Sequence, residues 1–443
     1  ALPLNKDFIV YDHVNSDGSI CIHTLHSPDL ERKLAFDFES LKKWIHDYYV
    51  GKKEDAHYEH IVVSDIPING KRMSFWFTEV NYTFKVGEFG FFKYSYLASG
   101  MLWKGMADTF LIQGFKVENN YVDCSWSAPY KNLPAIRGAY IYLGHPPVSN
   151  RRFIIESWTE LEKYVSKAFL EFLYQVKSTD PFENRLPFPI VIGYKISATE
   201  IHWQCLATEF NDFPVRIKKS PAFGISSIHV ATVPIRWVQT RNCSYSYFFG
   251  RGTLDKKLIE GKVLIIGVGA IGSMLATTLT RGGCKNICII DYDVKEPENV
   301  CRSEYIFKTG IVDKVYELGK TLTSISPFVN IGIEEKFTEY IKAAVNRNSD
   351  LEFIKSELVR YDYIFDCSTD NDLAFILDSI KISTQIINLS ITNHARELVC
   401  AVTPNLYTWM IDIYSRFENT TEDLYNPTGC WSPTFKASYN DIA

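Results

Sequence analysis

Three glycines and one aspartate form the clearest chemical pattern in this chain. Gly267, Gly269 and Gly272 are spaced as G-x-G-x-x-G after the apolar run KVLIIG, and Asp291 closes the next apolar run, NICIID. Glycines at this spacing let backbone N–H groups approach a phosphate at the start of a helix. A carboxylate at the end of the second strand can accept hydrogen bonds from ribose hydroxyls. The pattern therefore predicts a nucleotide site.

Polar residues further along the chain narrow the kind of nucleotide site. They are Asn299, Arg302, Lys314 and the pair Asp370–Asn371. A redox dinucleotide site needs no such cluster, whereas a site that holds ATP and polarises its α-phosphate does. An NAD-dependent oxidoreductase remains the alternative, because the glycines and Asp291 would serve that cofactor equally well.

Alternating strands and helices over residues 241–443 predict how these side chains meet. After the opening strand–helix–strand unit we predict a helix (IVDKVYELGKTLTSI), two strands (FVNIGIEEKF and YDYIFDCS), a helix (DLAFILDSIKI) and two more strands (QIINLSI and ELVCAVTP). This alternation is typical of a doubly wound, mostly parallel α/β sheet. Ligands of such sheets bind at the carboxyl ends of the strands, where Gly267, Asp291 and the segment 366–370 all fall.

The chain divides into three predicted regions, 1–62, 63–240 and 241–443. The middle region is rich in aromatic residues and strand-like runs, and it contains one helix, SWTELEKYVSKAFLEFLYQV, with Ser157 as its predicted cap. This mixture is typical of an α+β domain. His202 in the middle region is interpreted as a packed side chain, because no partner for catalysis accompanies it in the sequence.

In the first region, apolar residues recur every three or four positions after Asp29. This spacing predicts a helix that buries one face. The face comprises Leu30, Leu34, Phe38, Leu41, Ile45 and Tyr48.

Composition excludes several classes of protein. The formal net charge of −5 leaves no basic footprint for nucleic acid. The longest apolar runs are glycine-broken and fall short of the roughly 18 residues that a membrane span needs. Ten cysteines include no C-x-x-C pair, which argues against a structural zinc cage and favours reduced cytosolic thiols, and hence a cytoplasmic protein. Cys400, in the run ELVCAV, is expected in the core.

The run IIDYDVKEPENVCRSEYIF, the spacing from Gly310 to Lys314 and the run FDCSTDN resemble the adenylation domain of ubiquitin-activating enzymes, the ThiF superfamily. The resemblance covers about residues 245–405. It implies a Rossmann-like domain in which the C-terminal carboxylate of a partner protein attacks the α-phosphate of ATP, giving an acyl-adenylate and pyrophosphate. One departure is that three residues, rather than two, separate Gly310 from Lys314.

The resemblance also implies a role for each residue of the cluster. Asp291 would hold the ribose hydroxyls. Asn299, Arg302 and Lys314 would contact the phosphates, where cations offset the charge that develops in the transition state. Asp370 would hold Mg²⁺ and orient the α-phosphate, which suits a cation that prefers one or two carboxylates plus phosphate oxygens.

The family also uses an arginine before the first strand, often donated across a homodimer. Arg241 and Arg251 are both candidates, and the sequence does not choose between them. Sulfur-carrier adenylyltransferases share this ATP site and remain an alternative. A scaffold that binds nucleotide and a partner tail without turnover is a third possibility.

Two cysteines could carry an acyl group. Cys430 lies in the Gly/Pro-rich segment YNPTGCWSPTF, a region where several activating enzymes of the family carry a transfer cysteine whose thiolate attacks the adenylate. Cys21 lies in HVNSDGSICIHTLHSPDL, which resembles the active-site segment of ubiquitin-conjugating enzymes, with Val14 and Ile22 in place of that family's proline and leucine. This resemblance implies that Cys21 carries the acyl group and that Asn15 donates to the oxyanion.

An activating-type domain over 241–443 and a conjugating-like region over 1–62 resemble the ubiquitin-transferase-like fusion proteins of bacterial CBASS anti-phage systems. The resemblance implies ATP and Mg²⁺ as cofactors and a homodimer. It also implies a protein substrate with a flexible C-terminal tail, in that family a cyclic-oligonucleotide synthase, whose acyl group passes from Cys430 to Cys21 and then to an amine. Only 20 residues precede Cys21, so we expect the chain to be truncated at its N-terminus and soon after Cys430.

Overall fold

The structure is a computed structural model. It describes residues 11–15, 18–22, 24–53, 61, 63, 67–68, 70–99, 107–150, 153–179, 187–197, 200–209, 213–219, 226–250, 252–334, 337–344, 348–392 and 397–417. The chain forms two compact units. Unit 1 comprises Ala1–Ser125 and Leu133–Ser244, and unit 2 comprises Trp126–Asn132 and Tyr245–Ala443. The finer division of the sequence into three regions stays a prediction.

The strands of both units follow one another along the chain. They are β1 (Met73–Phe77), β2 (Phe89–Ala98), β3 (Asp108–Val117), β4 (Asn120–Asp123), β5 (Ala135–Gly144), β6 (Val148–Asn150), β7 (Phe153–Ile154), β8 (Phe188–Lys195), β9 (Ile201–Thr208), β10 (Val215–Lys219), β11 (Ser226–Val230), β12 (Gln239–Asn242), β13 (Lys262–Ile266), β14 (Asn286–Ile290), β15 (Asn330–Glu334), β16 (Tyr363–Asp366), β17 (Gln385–Thr392) and β18 (Glu397–Val402).

The α-helices are α1 (Leu30–Trp44), α2 (Ala128–Lys131), α3 (Trp158–Leu161), α4 (Lys167–Thr179), α5 (Tyr245–Phe249), α6 (Lys256–Glu260), α7 (Ala270–Arg281), α8 (Lys314–Ile325), α9 (Phe337–Ala344), α10 (Asn348–Leu358), α11 (Asn371–Ile380) and α12 (Leu406–Phe417). A π-helical turn, Ile45–Val50, continues α1, and two 3₁₀ segments span Pro297–Arg302 and Phe307–Thr309. Across the described residues, no helix combines the length and the apolar character needed to cross a bilayer.

Unit 1 is built on a mixed sheet in the order β12-β1-β3-β2-β5-β8-β9, with β4 paired to β3. Helix α4 packs apolar side chains such as Phe169 and Leu173 into the same core as Ile190 and Ile192 of β8. Burial of such side chains is the main stabilising contribution to the unit. His202 lies edge-on to the Phe77 ring at 5.2 Å, and desolvation lowers its pKa to about 4. The side chain is therefore packed among rings, as interpreted from the sequence.

The segment 157–176 forms two helices rather than the predicted single helix. Ser157 caps α3, as predicted, by accepting a hydrogen bond from the Glu160 amide at 3.3 Å. The helix then ends, and Ser166 Oγ accepts a hydrogen bond from the Phe169 amide at 3.2 Å. The second serine acts as a cap for α4. Apolar residues continue at helical spacing through the break between α3 and α4, so the sequence pattern predicted one helix.

Helix α1 forms where the sequence predicts it, but its apolar face is exposed. Asp29 caps the helix, accepting from the amide of Glu31 at 2.9 Å. Leu30 is 81% exposed and Leu34 is 54% exposed. The prediction of a buried face was therefore wrong. Within the described part of the chain, the helix is anchored at its C-terminal end instead, where the buried Trp44 indole donates to the Asp12 carbonyl oxygen at 3.0 Å.

Unit 2 contains a six-stranded sheet in the order β15-β14-β13-β16-β17-β18. The pairs from β15 to β17 are parallel, and β18 runs antiparallel to β17. Helices α7 and α8 contribute to the core on one face, while α9 to α12 contribute to the core on the other. This arrangement confirms the predicted doubly wound, mostly parallel α/β fold.

Strand β18 is an edge strand, and its side chains alternate between the core and the surface. Val399 and Ala401 are buried, whereas Leu398 is exposed. Cys400 is also exposed, so the expectation of a core cysteine was wrong. An apolar run on an edge strand does not guarantee burial on both faces, because only one face of β18 meets the helices.

Candidate active site

The carboxyl ends of β13, β14 and β16 open onto a crevice of about 970 Å³ in unit 2. The chain reverses its winding direction at β13, because β14 lies on one side of this strand and β16 on the other. Such a switch point is where open α/β sheets bind ligands. The residues lining the crevice include Gly267, Gly269, Asp291, Arg302, Lys314 and Asp370. Asn371 also lines the crevice, so the structure brings together seven of the residues singled out from the sequence.

The glycine turn follows β13 and leads directly into α7. Gly267 has a φ of +81°, and its amide donates to the Ile290 carbonyl oxygen at 2.8 Å. A Cβ on Gly267 would lie 2.5 Å from the Cα of Ser368, and a Cβ on Gly272 would lie 1.9 Å from the oxygen of Gly267. Gly269 has open space around it instead and is the N-cap of α7. The helix start is therefore open to a phosphate, while Gly272 permits close packing behind the turn.

Asp291 joins the end of β14 to the glycine turn. Its Oδ2 accepts a hydrogen bond from the Val268 amide at 2.8 Å, and its Oδ1 accepts one from the Asp293 amide at 2.9 Å. A carboxylate has about four lone-pair sites. Each oxygen therefore retains acceptor capacity for a ribose hydroxyl while the backbone fixes its orientation.

Arg302 and Asn299 share the 3₁₀ segment after β14, but they are placed differently. Arg302 ends the segment and lines the crevice. The Oδ1 of Asn299 accepts a hydrogen bond from the Glu296 amide at 2.8 Å, and the Glu296 side chain reciprocates as the other half of a capping box. In this conformation, Asn299 holds the turn that presents Arg302, and its phosphate contact stays a prediction.

Lys314 begins α8 at the crevice wall. Its ammonium forms an ion pair with Oδ2 of Asp293, and its amide donates to the Asp293 carbonyl oxygen at 3.1 Å. The side chain is only 10% exposed. The pairing keeps a charged ammonium in the crevice wall, where an incoming phosphate would compete with Asp293 for it.

A buried ion pair fixes the crossover segment that carries Arg302. Lys295 and Glu317 are 2.6 Å apart, and their side chains are 2% and 4% exposed. Glu317 also accepts from the Ile306 amide at 2.6 Å and from the Thr309 hydroxyl at 2.8 Å. Burial raises the pKa of Glu317, but these hydrogen bonds and the Lys295 ammonium outweigh it and hold the pKa below its ordinary value. The carboxylate is thus kept charged and fully hydrogen-bonded.

Asp370 is the N-cap of α11. Its Oδ1 accepts a hydrogen bond from the Leu373 amide at 3.1 Å, and its Oδ2 forms an ion pair with Lys342 of α9. Burial raises the pKa of Asp370, but the hydrogen bonds from Lys342 and the Leu373 amide hold it below its ordinary value. Asp370 is therefore a carboxylate at neutral pH. One of its oxygens caps α11 and the other pairs with the Lys342 ammonium.

Asp366 supports the turn that places Asp370. Its Oδ1 accepts from the Ser368 hydroxyl at 2.6 Å, and its Oδ2 accepts from Nδ2 of Asn388 at 2.9 Å. The Asp370 amide in turn donates to Ser368 Oγ at 3.3 Å. Burial raises the pKa of Asp366, against the lowering effect of these hydrogen bonds. Asp366 at the end of β16, held by Asn388 of β17, thus fixes the path of the backbone into α11.

The donor set fits a Mg²⁺ ion that arrives with phosphates. Over the described ranges, no three His, Cys, Asp or Glu side chains converge as a metal cage. Asp370 supplies one carboxylate oxygen toward the crevice, and Asp372 also lines it. Mg²⁺ is commonly bound through one or two carboxylates together with substrate phosphates and water. These residues suit that mode.

The predicted acyl-carrier residues lie apart from this crevice in the chain, in unit 1 or outside the described residues. Val14 pairs with Ile20 in a short antiparallel bridge, and Cys21 follows it, exposed, with its amide donating to the His13 carbonyl oxygen at 2.6 Å. Asn15 donates from Nδ2 to Ser19 Oγ at 2.8 Å. Cys21 and Asn15 therefore belong to one tight hairpin.

The two candidate arginines and Cys430 complete the set of predicted residues. Arg241 lies on β12 in unit 1, and its guanidinium donates to the Thr240 carbonyl oxygen at 3.4 Å. Arg251 and Cys430 lie outside the described residues. Their roles stay predictions.

Comparison with known proteins gives one family match and several related sequences and solved structures. Residues 241–396 match the model of the ThiF family. The ATP-dependent ubiquitin transferase-like protein Cap2 of Enterobacter hormaechei subsp. hoffmannii (strain UCI 50) is 27% identical over 287 residues, which cover 59% of this chain and 46% of that protein. The adenylyltransferase and sulfurtransferase UBA4 of Lodderomyces elongisporus is 26% identical over 135 residues, which cover 30% of this chain and 27% of that protein. The solved structure of E. coli MccB with ATP is 19% identical, with a TM-score of 0.27, covering 37% of this chain and 50% of that one.

The chain spans less than half the length of these two curated relatives. The sequence matches are to proteins named as an ATP-dependent ubiquitin transferase-like protein and as an adenylyltransferase and sulfurtransferase. They confirm the resemblance to the ThiF/ubiquitin-activating superfamily that the nucleotide motif indicated. The similarity to the ThiF family thus extends over residues 241–396 of this chain.

Proposed function

We propose that the crevice of unit 2 binds ATP with Mg²⁺ and adenylates the C-terminal carboxylate of a partner protein. The observation that carries this proposal is the meeting of Asp291, Arg302, Lys314 and Asp370 around the open start of α7. A ribose acceptor, two cations and a metal-binding carboxylate around a helix N-terminus form a site for a nucleoside triphosphate. Relatives named as an ATP-dependent ubiquitin transferase-like protein and as an adenylyltransferase support the same class of reaction.

In the proposed reaction, a carboxylate oxygen of the partner attacks the α-phosphorus. The bond from this phosphorus to the bridging oxygen of the β-phosphate breaks, and pyrophosphate leaves. Arg302 and Lys314 offset the charge that accumulates on the phosphate oxygens. Asp291 holds the ribose so that the α-phosphate meets the start of α7. Mg²⁺, held by Asp370, would neutralise phosphate charge when bound.

We propose further that the acyl-adenylate is captured by sulfur. A thiolate attacks the mixed anhydride, AMP leaves, and a thioester forms. Cys430 is the proposed first acceptor and Cys21 the second, from which an amine on a target takes the acyl group. Support for Cys21 comes from its exposure at the end of a hairpin that also carries Asn15. Nδ2 of Asn15 carries two N–H donors, of which Ser19 takes one, so the other is the proposed donor to an oxyanion at Cys21.

The partner is proposed from the family resemblance. In CBASS systems the partner is a cyclic-oligonucleotide synthase with a flexible C-terminal tail. By the same resemblance, we propose that this chain acts in antiviral defence in the cytoplasm and that it is a multifunctional homodimer. The relative named an ATP-dependent ubiquitin transferase-like protein supports this assignment.

Exchange of labelled pyrophosphate into ATP tests the adenylation step. The full chain, the candidate synthase and Mg-ATP should give exchange that Asp370→Ala abolishes. Exchange at the wild-type rate in Asp370→Ala would contradict the metal assignment. Absence of exchange in the wild type, with NADH-dependent turnover instead, would favour the oxidoreductase, whereas nucleotide binding without either activity would favour a scaffold.

Non-reducing gels of the same mixture test the relay. Bands that disappear with added thiol are expected, and Cys21→Ala and Cys430→Ala should remove different bands. If Cys21→Ala still gives every thiol-sensitive band that the wild type gives, then Cys21 carries no acyl group, and a sulfur-carrier type of adenylyltransferase is favoured.

A further inference from the structure

Lys342 contacts Asp370, a residue of the crevice lining, from a part of the chain that the nucleotide motif does not include. It lies on α9, and its ammonium forms an ion pair with Oδ2 of Asp370. The Lys342 side chain is 42% exposed, and that of Asp370 is 21% exposed. Lysine is a flexible point charge on a four-carbon stem. The ammonium can therefore leave the carboxylate without disturbing the core.

The two oxygens of Asp370 have different partners. Oδ1 accepts from the Leu373 amide at 3.1 Å as the cap of α11. Oδ2 is the oxygen that a metal ion would use without breaking that cap, and Lys342 pairs with this same oxygen. An ammonium and a divalent cation cannot both occupy one carboxylate oxygen at contact distance without strong repulsion. Metal binding at Asp370 therefore requires that Lys342 moves.

We propose that Lys342 is a positioning residue that holds Asp370 in the nucleotide-free crevice and yields it to the divalent cation that ATP carries. The inference rests on the proposed function, because it takes Asp370 as the metal-binding carboxylate. A free metal ion that binds at Asp370 gains one or two carboxylate oxygens as ligands but must displace the Lys342 ammonium. Metal that arrives with a triphosphate brings its own phosphate ligands, and the negative phosphates compensate the released ammonium. Lys342 thus couples metal binding to nucleotide binding.

Titration of the full chain with Mn²⁺, followed by electron paramagnetic resonance of the free ion, tests this coupling. An exposed ion pair is worth up to about 1 kcal/mol, which corresponds to about fivefold in affinity. Lys342→Gln should therefore bind Mn²⁺ alone about fivefold more tightly than the wild type. With a non-hydrolysable ATP analogue present, the two proteins should bind Mn²⁺ within about twofold of each other. Unchanged or weaker binding of Mn²⁺ alone in Lys342→Gln would overturn the proposal.

Two further variants control for charge and for general effects. Lys342→Arg keeps the positive charge and should bind Mn²⁺ alone as weakly as the wild type. Lys355→Gln removes an equally exposed ammonium, which pairs with Glu352 on α10 at 2.7 Å, and should leave Mn²⁺ binding unchanged. If Lys355→Gln gains as much affinity for Mn²⁺ as Lys342→Gln does, then the effect comes from the change in net charge, and the proposal is contradicted.

Asp370→Asn separates failure of this inference from failure of the proposed function. Loss of Mn²⁺ binding in Asp370→Asn, together with unchanged binding in Lys342→Gln, would overturn only the role of Lys342. Wild-type Mn²⁺ binding in Asp370→Asn would overturn the metal assignment itself. A thermal melt of each variant shows whether the protein is folded.

Discussion

Removing the charge of Lys295 should destabilise the crossover segment that presents Arg302. The Lys295 and Glu317 side chains are nearly inaccessible, at 2% and 4% exposure, with their charged atoms 2.6 Å apart. Lys295→Met keeps the length of the side chain but leaves the Glu317 carboxylate buried without its cation. Breaking one partner of a buried pair costs about 3–5 kcal/mol. For a unit of this size we expect the melting temperature to fall by roughly 10 °C.

A double variant separates the unpaired charge from lost packing. Lys295→Met with Glu317→Gln removes the unpaired buried charge, while the side-chain amide oxygen can still accept a hydrogen bond from the Ile306 amide. Urea unfolding of the wild type, the single variant and the double variant should show that the double variant regains most of the loss. If the double variant is as unstable as Lys295→Met, then the uncompensated carboxylate is not the cause and the reasoning is refuted.

The pH dependence of the wild type gives an independent check on the same pair. The pKa of Glu317 in the folded state is below its ordinary value. The resulting stability is therefore present above the unfolded-state pKa and is lost as the pH falls through the folded-state pKa. The difference in unfolding free energy between the wild type and Lys295→Met should shrink on acidification below about pH 4. A difference that stays constant over this range would contradict the electrostatic account.

Four further substitutions test the nucleotide site and the relay. Gly272→Ala should abolish nucleotide binding, because its Cβ would lie 1.9 Å from the oxygen of Gly267. The Cβ of Gly269→Ala would meet open space, so thermal melts should show that this variant keeps the fold. Arg302→Ala should lower pyrophosphate exchange by about 10²–10³-fold while leaving the melting temperature within a few degrees, since the proposed role of Arg302 is a contact made to the transition state. Cys21→Ala should leave exchange unchanged and remove one thiol-sensitive band on non-reducing gels; a loss of exchange in this variant would contradict the order of the relay.

Much of unit 2 could be predicted from the sequence, because its signals are local. The glycine turn and Asp291 lie within one β13–α7–β14 unit, and their backbone requirements leave a recognisable spacing. The strand ends could be placed on one edge of the sheet because parallel strands present their carboxyl ends together. The buried pair of Lys295 and Glu317 could not be predicted, because charged residues in a sequence usually indicate a surface.

Other features depended on tertiary contacts that no local pattern reports. The spacing of apolar residues indicated that α1 forms, but not whether another element covers the stripe that includes Leu30. Cys400 is exposed because β18 is the last strand of the sheet, a property of strand order rather than of the run itself. The contact of Lys342 with Asp370 could not be predicted, because the sequence of α9 has only the pattern of an amphipathic helix. The ion pair forms only when the fold brings α9 next to Asp370.

Binding of Mg-ATP to the full chain, measured by isothermal titration calorimetry beside NAD⁺, tests the central claim most directly. The account expects saturable binding of Mg-ATP that is lost in Asp291→Ala, whose carboxylate lines the crevice and accepts from the Val268 amide, and no binding of NAD⁺ under the same conditions. Saturable binding of NAD⁺ with no heat from Mg-ATP would contradict it.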